Sequence, residues 1–421
     1  MDSAAQFRER LERIGRSLSA IPSPEPGRIV AGPLLRTAES VGAREVVSST
    51  GRYWLRSLVH DPCAPWGECL VGDLFERAAS DGLQFPLGAD NRAFGRDKFV
   101  YLDCETTGLS GGAGTLAFLV ALGFVREDRF VVEQYFLPEP ADEPALIGAL
   151  AARLSVAEAL VTYNGAAFDG PLLEGRFRFW RFDPAFRNLP HLDLLHPTRA
   201  LFKRRIGDCS LGNVEERILR FARVEDIPGS EVPEVYFEYL RGGVSPRLFH
   251  VFEHNRLDVV SLFVCHLWLS DRTRPESPSL GDPTDLLSLA RYWLRKGRFS
   301  HALSALDEVD RRILDNAQRV ESRELRARTL KRARAYDEAH EQWRQVAGLD
   351  PQRVDVCEEI AKHLEHRLRD YSGALRLVDA ALESIRFRDT IGALGVDAET
   401  WRARFLHRRA RLQRRLTQLG H

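Results

Sequence analysis

The sequence predicts an α/β domain, a mixed sheet flanked by helices, followed by an all-α helical-repeat domain. Three observations predict it. Between Lys98 and Tyr163, short apolar runs of strand character are interrupted by a segment with helical spacing. A polar, proline-rich stretch from Ser270 to Asp285 then breaks the pattern. Beyond it every periodic segment is helical, and an aromatic-and-alanine pattern recurs at a nearly fixed interval.

Residues up to about 95 are rich in Pro, Gly and Ser, with an opening amphipathic helix and then weak periodicity. From Lys98 the signal sharpens. KFVYLD, LAFLVALGFV, RFVVEQYFL and ALVTY read as four strands. PALIGALAARL is apolar at helical spacing, and GPLLEGRFRFW opens with Gly170 and Pro171 as a helix start should. In the last part Ala290, Trp293, Phe299 and Ala302 are echoed by Ala327, Leu330, Tyr336 and Ala339, then by Ala361, Tyr371 and Ala374. Phe299, Tyr336 and Tyr371 follow one another at intervals of 37 and 35 residues. This pattern is similar to tetratricopeptide repeats, whose period is roughly 34 residues. The expected organisation is a poorly defined region 1–95, a sheet domain 96–271, a linker 272–285 and a helical-repeat domain 286–421.

With 421 residues, 44% of them apolar, the chain is long enough for two or three cores. Its formal charge is zero, so no overall basic field points to nucleic acid. Of 60 basic residues only five are Lys, a skew that reads first as GC-rich coding. The six cysteines form no CxxC pair and no zinc spacing; Cys63 and Cys69 lie closest. The longest apolar runs, Thr115 to Val125 and Val259 to Leu269, are about eleven residues, too short for a bilayer. The N-terminus lacks the apolar core of a signal peptide. A soluble, cytoplasmic protein with reduced thiols and no membrane partner is expected.

Four acidic residues in three separated motifs carry the chemistry. Asp103 and Glu105 in YLDCETTGLS are two apart, so on a strand both leave the same face and one cation can meet both. Thr106 and Thr107 follow as donors, in a glycine-rich loop that lets a phosphate approach the backbone. Asp169, in YNGAAFDGPLL, alone reads as a helix cap; beside the first pair it becomes a candidate for a second metal. His254 and Asp258, four apart in EHNRLDVVSL, project from one helix face. A histidine with an ordinary pKa near ~6.5 there suits a base for an attacking water.

In this order the motifs resemble the DEDD superfamily of ribonuclease H-like 3′–5′ exonucleases. More closely, LDCETTGLSGGAGT, LVTYNGAAFDGPLLEGRF, HLDLLHPTRALFKRRIGDCSLGNVEERILR and DIPGSEVPEVYFEYLRGG are similar to the YprB-type ribonuclease H-like domain family. The resemblance spans roughly Lys98 to Ser270, with GECLV (Gly67 to Val71) as a weaker extension. It implies a ribonuclease H-like α/β fold, with Asp103, Glu105, Asp169 and Asp258 as metal ligands and His254 as the water-activating residue. One departure stands out. The histidine-bearing branch places its base five residues before the last Asp; here the interval is four, as in the tyrosine-bearing branch.

The implied reaction is phosphodiester hydrolysis with two divalent cations, Mg²⁺ or Mn²⁺, roughly 3.5 to 4 Å apart and sharing Asp103. Tyr163 and Asn164 are candidates for positioning the terminal nucleotide, and Phe168 is expected in the core rather than as a stacking platform. Lys203, Arg204 and Arg205 form a basic run that reads either as a phosphate track or as a solvated face. His191, Asp193 and His196 read as packing residues, and Trp401 to Arg415 as a capping helix. The expected activity is a metal-dependent nuclease acting on DNA or RNA, with a protein partner for the repeats. The alternative is a non-catalytic nucleic-acid-binding adaptor.

Overall fold

The computed structural model of the chain describes residues 38–62, 64–86, 93–108, 114–242, 246–390 and 398–420. The opening helix read from the sequence, Cys63 and residues 109–113 of the glycine-rich loop lie outside these. Nine strands are described: β1 (Arg44–Ser48), β2 (Gly51–His60), β3 (Leu83–Gln84), β4 (Ala93–Phe94), β5 (Phe99–Thr106), β6 (Ala117–Arg126), β7 (Arg129–Phe136), β8 (Ala159–Thr162) and β9 (His191–Asp193). β3 and β4 pair only with each other. The other seven form one sheet in the order β1-β2-β7-β6-β5-β8-β9, antiparallel up to β5 and parallel from β5 to β9. The four strands read from the sequence are present. β1 and β2, in the region the sequence left undefined, form one edge of the sheet.

The helices are α1 (Val71–Asp81), α2 (Glu143–Leu154), α3 (Asp169–Phe179), α4 (Leu195–Ile206), α5 (Leu211–Val214, continued by a π-turn, Glu215–Leu219), α6 (Val232–Gly242) and α7 (Pro246–Arg272). They cover both faces of the sheet. The alternation of β5 decides which face carries the chemistry. Val100 and Leu102 point into the core shared with α2, α3 and α6, whereas Phe99 and Tyr101 point into the core shared with α7. By the two-residue period Asp103 and Glu105 continue the Phe99–Tyr101 row and emerge toward α7, where the strand passes from fully buried to half-buried residues.

α7 comes close to the sheet because β6 carries Gly123. A Cβ there would lie 2.5 Å from Val259 Cγ1 and 2.5 Å from Phe130 Cζ. The smallest residue therefore sets the height of the helix that bears His254 and Asp258.

The remainder is helical: α8 (Pro283–Arg295), α9 (Phe299–Asp310), α10 (Asn316–Arg332), α11 (Tyr336–Leu349), α12 (Val354–His363), α13 (Tyr371–Thr390) and α14 (Ala398–Gln418). The sequence motif has a plain structural meaning here. Phe299, Tyr336 and Tyr371 each open the second helix of a hairpin, and the alanines three residues on, Ala302, Ala339 and Ala374, are buried where helices cross. The two halves are not independent bodies. Leu286, Leu287, Trp293, Ala302 and Leu306 belong to the same core as Phe202 and Phe263 of the sheet domain. Arg205 of α4 donates to Asp285 of α8 through Nε and Nη2, at 3.0 and 2.6 Å.

Candidate functional site

Folding brings the scattered acids to one end of the sheet. β5 delivers Asp103 and Glu105, α3 begins at Asp169, and the first half of α7 presents His254, Asn255 and Asp258 on one face. His254 Nε2 lies 3.9 Å from Glu105 Oε1 and 3.7 Å from Asp258 Oδ2. One ligand atom from each of Glu105, His254 and Asp258 falls within 4.8 Å of the others, a grouping able to hold a metal ion. Asp103 and Asp169 are close enough for their fields to act on this cluster. A cavity of about 560 Å³ opens beside it, lined among others by Glu105, Thr106, Asn164, Phe168, Asp169 and Gly229.

A buried chain of polar side chains fixes Asp103. Gln134 of β7, fully buried, donates through Nε2 to the Phe252 carbonyl at 2.7 Å. A carbonyl only accepts, so the amide orientation is set. The same Nε2 reaches Asn255 Oδ1 at 3.0 Å, which leaves Asn255 Nδ2 as the donor to Asp103 Oδ2 at 2.7 Å. Arg56 of β2 closes the outer end, meeting Gln134 Oε1 at 3.3 Å and Glu253 at 2.7 Å. A strand of the undefined N-terminal region, β2, thus supports Asp103 of β5 through Gln134 and Asn255.

Burial, with the crowding of like charges, dominates the electrostatics. Burial, then the charges of Asp258, Glu105 and Asp169, push the Asp103 carboxyl well above the usual carboxylate range. Burial lifts Glu105 to about 8 against the opposing effect of His254, with Asp258 and Asp169 adding to the rise. Asp169 rises to about 7 through burial and the neighbouring Asp193 and Asp258. Burial works against charge on His254, but the Asp226 hydrogen bond and the fields of Asp258 and Glu105 outweigh it and raise the imidazole to about 9. With the protein's own groups alone, the charged form of His254 is favoured beyond the ordinary value of its residue type. The rise follows from a carboxylate neighbourhood that no local spacing reveals.

Arg223, Asp226 and Glu215 complete the surroundings. Glu215, nearly inaccessible in the π-turn, takes Arg223 Nε and Nη2 on its two oxygens, both at 2.7 Å. The same guanidinium donates to Asp258 Oδ1 and, at 3.0 Å, to Asp226 Oδ2. Asp226 Oδ1 in turn faces His254 Nδ1 at 2.7 Å. One arginine therefore orients Asp258 directly and His254 through Asp226. Upstream, Trp66 stacks on Phe221 at 4.1 Å and Glu68 N donates to the Leu219 carbonyl, so the GECLV segment braces this loop.

The other expected site residues divide. Asn164 holds a left-handed conformation, φ 65°, which Asn adopts more readily than most residues. Asp193 keeps it there by accepting from the Asn164 and Ala166 backbone N–H groups at 2.7 and 3.1 Å. Asp193 is thus a loop anchor, and His191 Nε2 meets Thr162 Oγ1 at 2.8 Å. Thr107 Oγ1 accepts from Leu116 N, and Thr106 Oγ1 donates to the Gly108 carbonyl, so both hydroxyls shape the loop beside Glu105. Phe168 is 57% exposed on the cavity wall, not in the core as expected, because the short turn before α3 turns its ring outward. Tyr163 spends its hydroxyl on the Cys209 carbonyl at 2.6 Å. Arg204 forms a two-toothed pair with Glu321 of α10, at 2.9 and 2.8 Å, and Lys203 beside it is exposed. Neither lines the cavity at the acids.

Residues 100–270 match RNase_H_2, of the RNase_H superfamily. The uncharacterized protein YprB of Bacillus subtilis (strain 168) is 31% identical over 305 residues, which cover 72% of this chain and 72% of YprB. The chain belongs to the YprB family of the RNase H superfamily. Among solved structures, the family B DNA polymerase of the hyperthermophilic archaeon Pyrobaculum calidifontis is similar over 48% of this chain and 29% of its own, at 17% identity and a TM-score of 0.33. Membership in the superfamily gives this YprB relative a nuclease-type fold. No helix among its described residues is long and apolar enough to cross a membrane.

The donor set suits a hard divalent cation. Asp103, Glu105, Asp169 and Asp258 offer carboxylate oxygens, and Asp103, Glu105 and Asp169 hold protons more tightly than usual because they are buried and face neighbouring carboxylates. A cation placed among them would offset that penalty. It would also reverse the field that keeps His254 protonated.

Proposed function

We propose that this protein is a metal-dependent nuclease that hydrolyses phosphodiester bonds of DNA or RNA, acting as a 3′–5′ exonuclease. One observation carries the reading: Asp103, Glu105, Asp169 and Asp258, drawn from a strand and two helices, come within range of one another's charges at the end of a sheet of the RNase H superfamily, with His254 beside Glu105 and Asp258. The reacting unit comprises β1 and β2 together with residues 96–271, and the helical half carries repeats of the tetratricopeptide kind.

In this reading the four carboxylates would hold two cations, Mg²⁺ or Mn²⁺. Such a pair would lower the pKa of the attacking water and stabilise charge on the leaving oxygen. The rest is done by the chain's own residues. Asn255 occupies Asp103 Oδ2 and so directs the other oxygen into the site. Arg223 holds Asp258 by Oδ1, leaving Oδ2 toward His254 and Glu105. His254, kept in orientation by Asp226, takes the proton from the attacking water at Nε2. Phe168 offers an exposed ring for the terminal base, and Asn164 of the preceding loop lines the same cavity. Tyr163, Lys203 and Arg204 are not assigned contacts at the scissile bond.

The test is release of label from 3′-labelled single-stranded DNA and RNA in Mn²⁺ or Mg²⁺, beside an Asp103→Ala, Glu105→Ala double variant. Equal release by both proteins overturns the proposal.

A second reading, a non-catalytic nucleic-acid-binding adaptor, has one observation in its favour. Arg223 and protonated His254 already place two of the protein's own positive charges among the acids. Nucleic-acid binding that is indifferent to Mn²⁺ and to Asp258→Asn would support it.

A further inference from the structure

A second cavity, of about 750 Å³, lies in the helical half, far along the chain from the carboxylate cluster. Its wall is formed by α8, α10, α11, α12 and α14. Seven basic residues line it: Arg291 and Arg295 on α8, Arg328, Lys331 and Arg332 on α10, Lys362 on α12 and Arg404 on α14. Three acids share the wall, Asp355, Glu358 and Glu359. The lining is thus basic in a chain whose formal charge is zero.

Part of that charge is met by ion pairs. Lys331 meets Glu359, Lys362 meets Glu358 and Glu359, Arg404 meets Glu358, Arg328 meets Glu324 and Arg291 meets Glu321. The basic members of these pairs are roughly one-third to one-half exposed, so the pairs are weak and can exchange a carboxylate for a phosphate. Arg295 and Arg332 are exposed and have no carboxylate partner among the described residues.

The aromatic residues of the wall add a second, independent observation. Trp343 is 5% exposed, lines the cavity, and its indole Nε1 has no hydrogen-bond partner among the described residues. Arg404 lies over the Trp401 ring at 4.5 Å, so a cation and an aromatic face adjoin on the wall, and Tyr336 and Trp343 add further aromatic lining.

We propose that this groove binds a single strand of nucleic acid, holding the part of the substrate that extends away from the carboxylate site. The inference rests on the nuclease reading for the identity of the strand. Continuity favours nucleic acid over an acidic peptide. Glu321 receives Arg204 of the nuclease unit and Arg291 of the groove at once. Arg204 lies near the end of α4, which begins at the Asp193 anchor of the Asn164 loop. At ~1.5 Å per residue the basic run Lys203–Arg205 lies about 12–15 Å along α4 from that loop, between the carboxylate site and the groove.

The experiment uses the full chain in EDTA, with fluorescein-labelled oligothymidylates of about 8 and about 40 nucleotides, read by anisotropy as a function of salt. The variants are Arg295→Ala, Arg332→Ala together and, separately, Arg328→Gln, all on exposed positions and verified by circular dichroism. The double variant should bind the long strand about tenfold more weakly, with its salt slope reduced by roughly 1.4 for two lost phosphate contacts. Its affinity for the short strand should fall by less than about twofold. Unchanged long-strand affinity in both variants overturns the proposal, as does displacement of the strand by oligoglutamate of equal charge at equal concentration, which would assign the groove to an acidic peptide. Label release in Mn²⁺ by the wild type is scored separately. Release with an indifferent groove sinks only this inference, and a groove effect without release sinks only the nuclease reading.

Discussion

Asn255 donates to Asp103 across 152 residues of sequence, Nδ2 to Oδ2 at 2.7 Å, with its own Oδ1 held by Gln134. The pair joins the middle of the sheet to α7 at the point where the carboxylates converge. Replacing Asn255 by Leu removes the donor and leaves Gln134 Nε2 with one acceptor fewer. The expected outcome is a loss of roughly 10–100-fold in Mn²⁺ affinity, the usual scale for a residue that orients a ligand. Isothermal titration checks it, and an affinity within about twofold of wild type would refute the positioning role.

Gly123 sets the distance between α7 and the sheet. Gly123→Val forces Val259 and Phe130 away, so the strain of overpacking should cost about 1–3 kcal/mol in urea unfolding. Since His254 and Asp258 ride on the same helix, Mn²⁺ binding should weaken as well. Unchanged stability would mean that α7 can retreat without consequence.

His266 supplies a pH test away from the acids. Its Nε2 faces the Gln84 carbonyl at 2.9 Å and so carries the hydrogen, while Nδ1 accepts from the Tyr101 hydroxyl at 3.0 Å. Complete burial lowers the folded pKa to about 4, against ~6.5 in the unfolded chain. As pH falls through 6.5 the unfolded chain takes up the proton first. The contribution is therefore fully present above ~6.5 and is lost between there and 4, by up to roughly 3 kcal/mol. His266→Gln keeps a donor and an acceptor but does not titrate. The stability difference between wild type and variant should shift in the variant's favour from pH 7 to pH 4.5 by about 2 kcal/mol. A difference independent of pH would contradict the assignment.

Much of this architecture was legible in the sequence. The β5 run ending in Asp103 and Glu105 shows its face by simple alternation, and the helical spacing of His254 and Asp258 places both on one side of α7. Asn255 lies three residues before Asp258 and shares that face, so the same periodicity points to it. Gln134 and Arg56 are different, because nothing near them in sequence tells a strand which polar group will meet a helix 118 or more residues later. Arg223 and Asp226 sit in an irregular loop with no period to read, and their roles depend on the π-turn that brings Glu215 inward. Phe168 looked like core by residue type alone; the turn that carries it decided otherwise. β1 was obscured by the exposed residues of an edge strand, and β2 by the lack of a clean burial alternation along it.

The central claim is that Asp103, Glu105, Asp169 and Asp258 act as a single cation-binding cluster. Titration of Mn²⁺ into the wild type and into Glu105→Gln, Asp169→Asn and Asp258→Asn, followed by calorimetry and by the electron paramagnetic resonance of free Mn²⁺, tests it most directly. The account predicts that the wild type binds Mn²⁺ and that each substitution weakens that same binding event by about tenfold or more. A wild type that leaves Mn²⁺ free, or a set of variants that titrate as the wild type does, would contradict it.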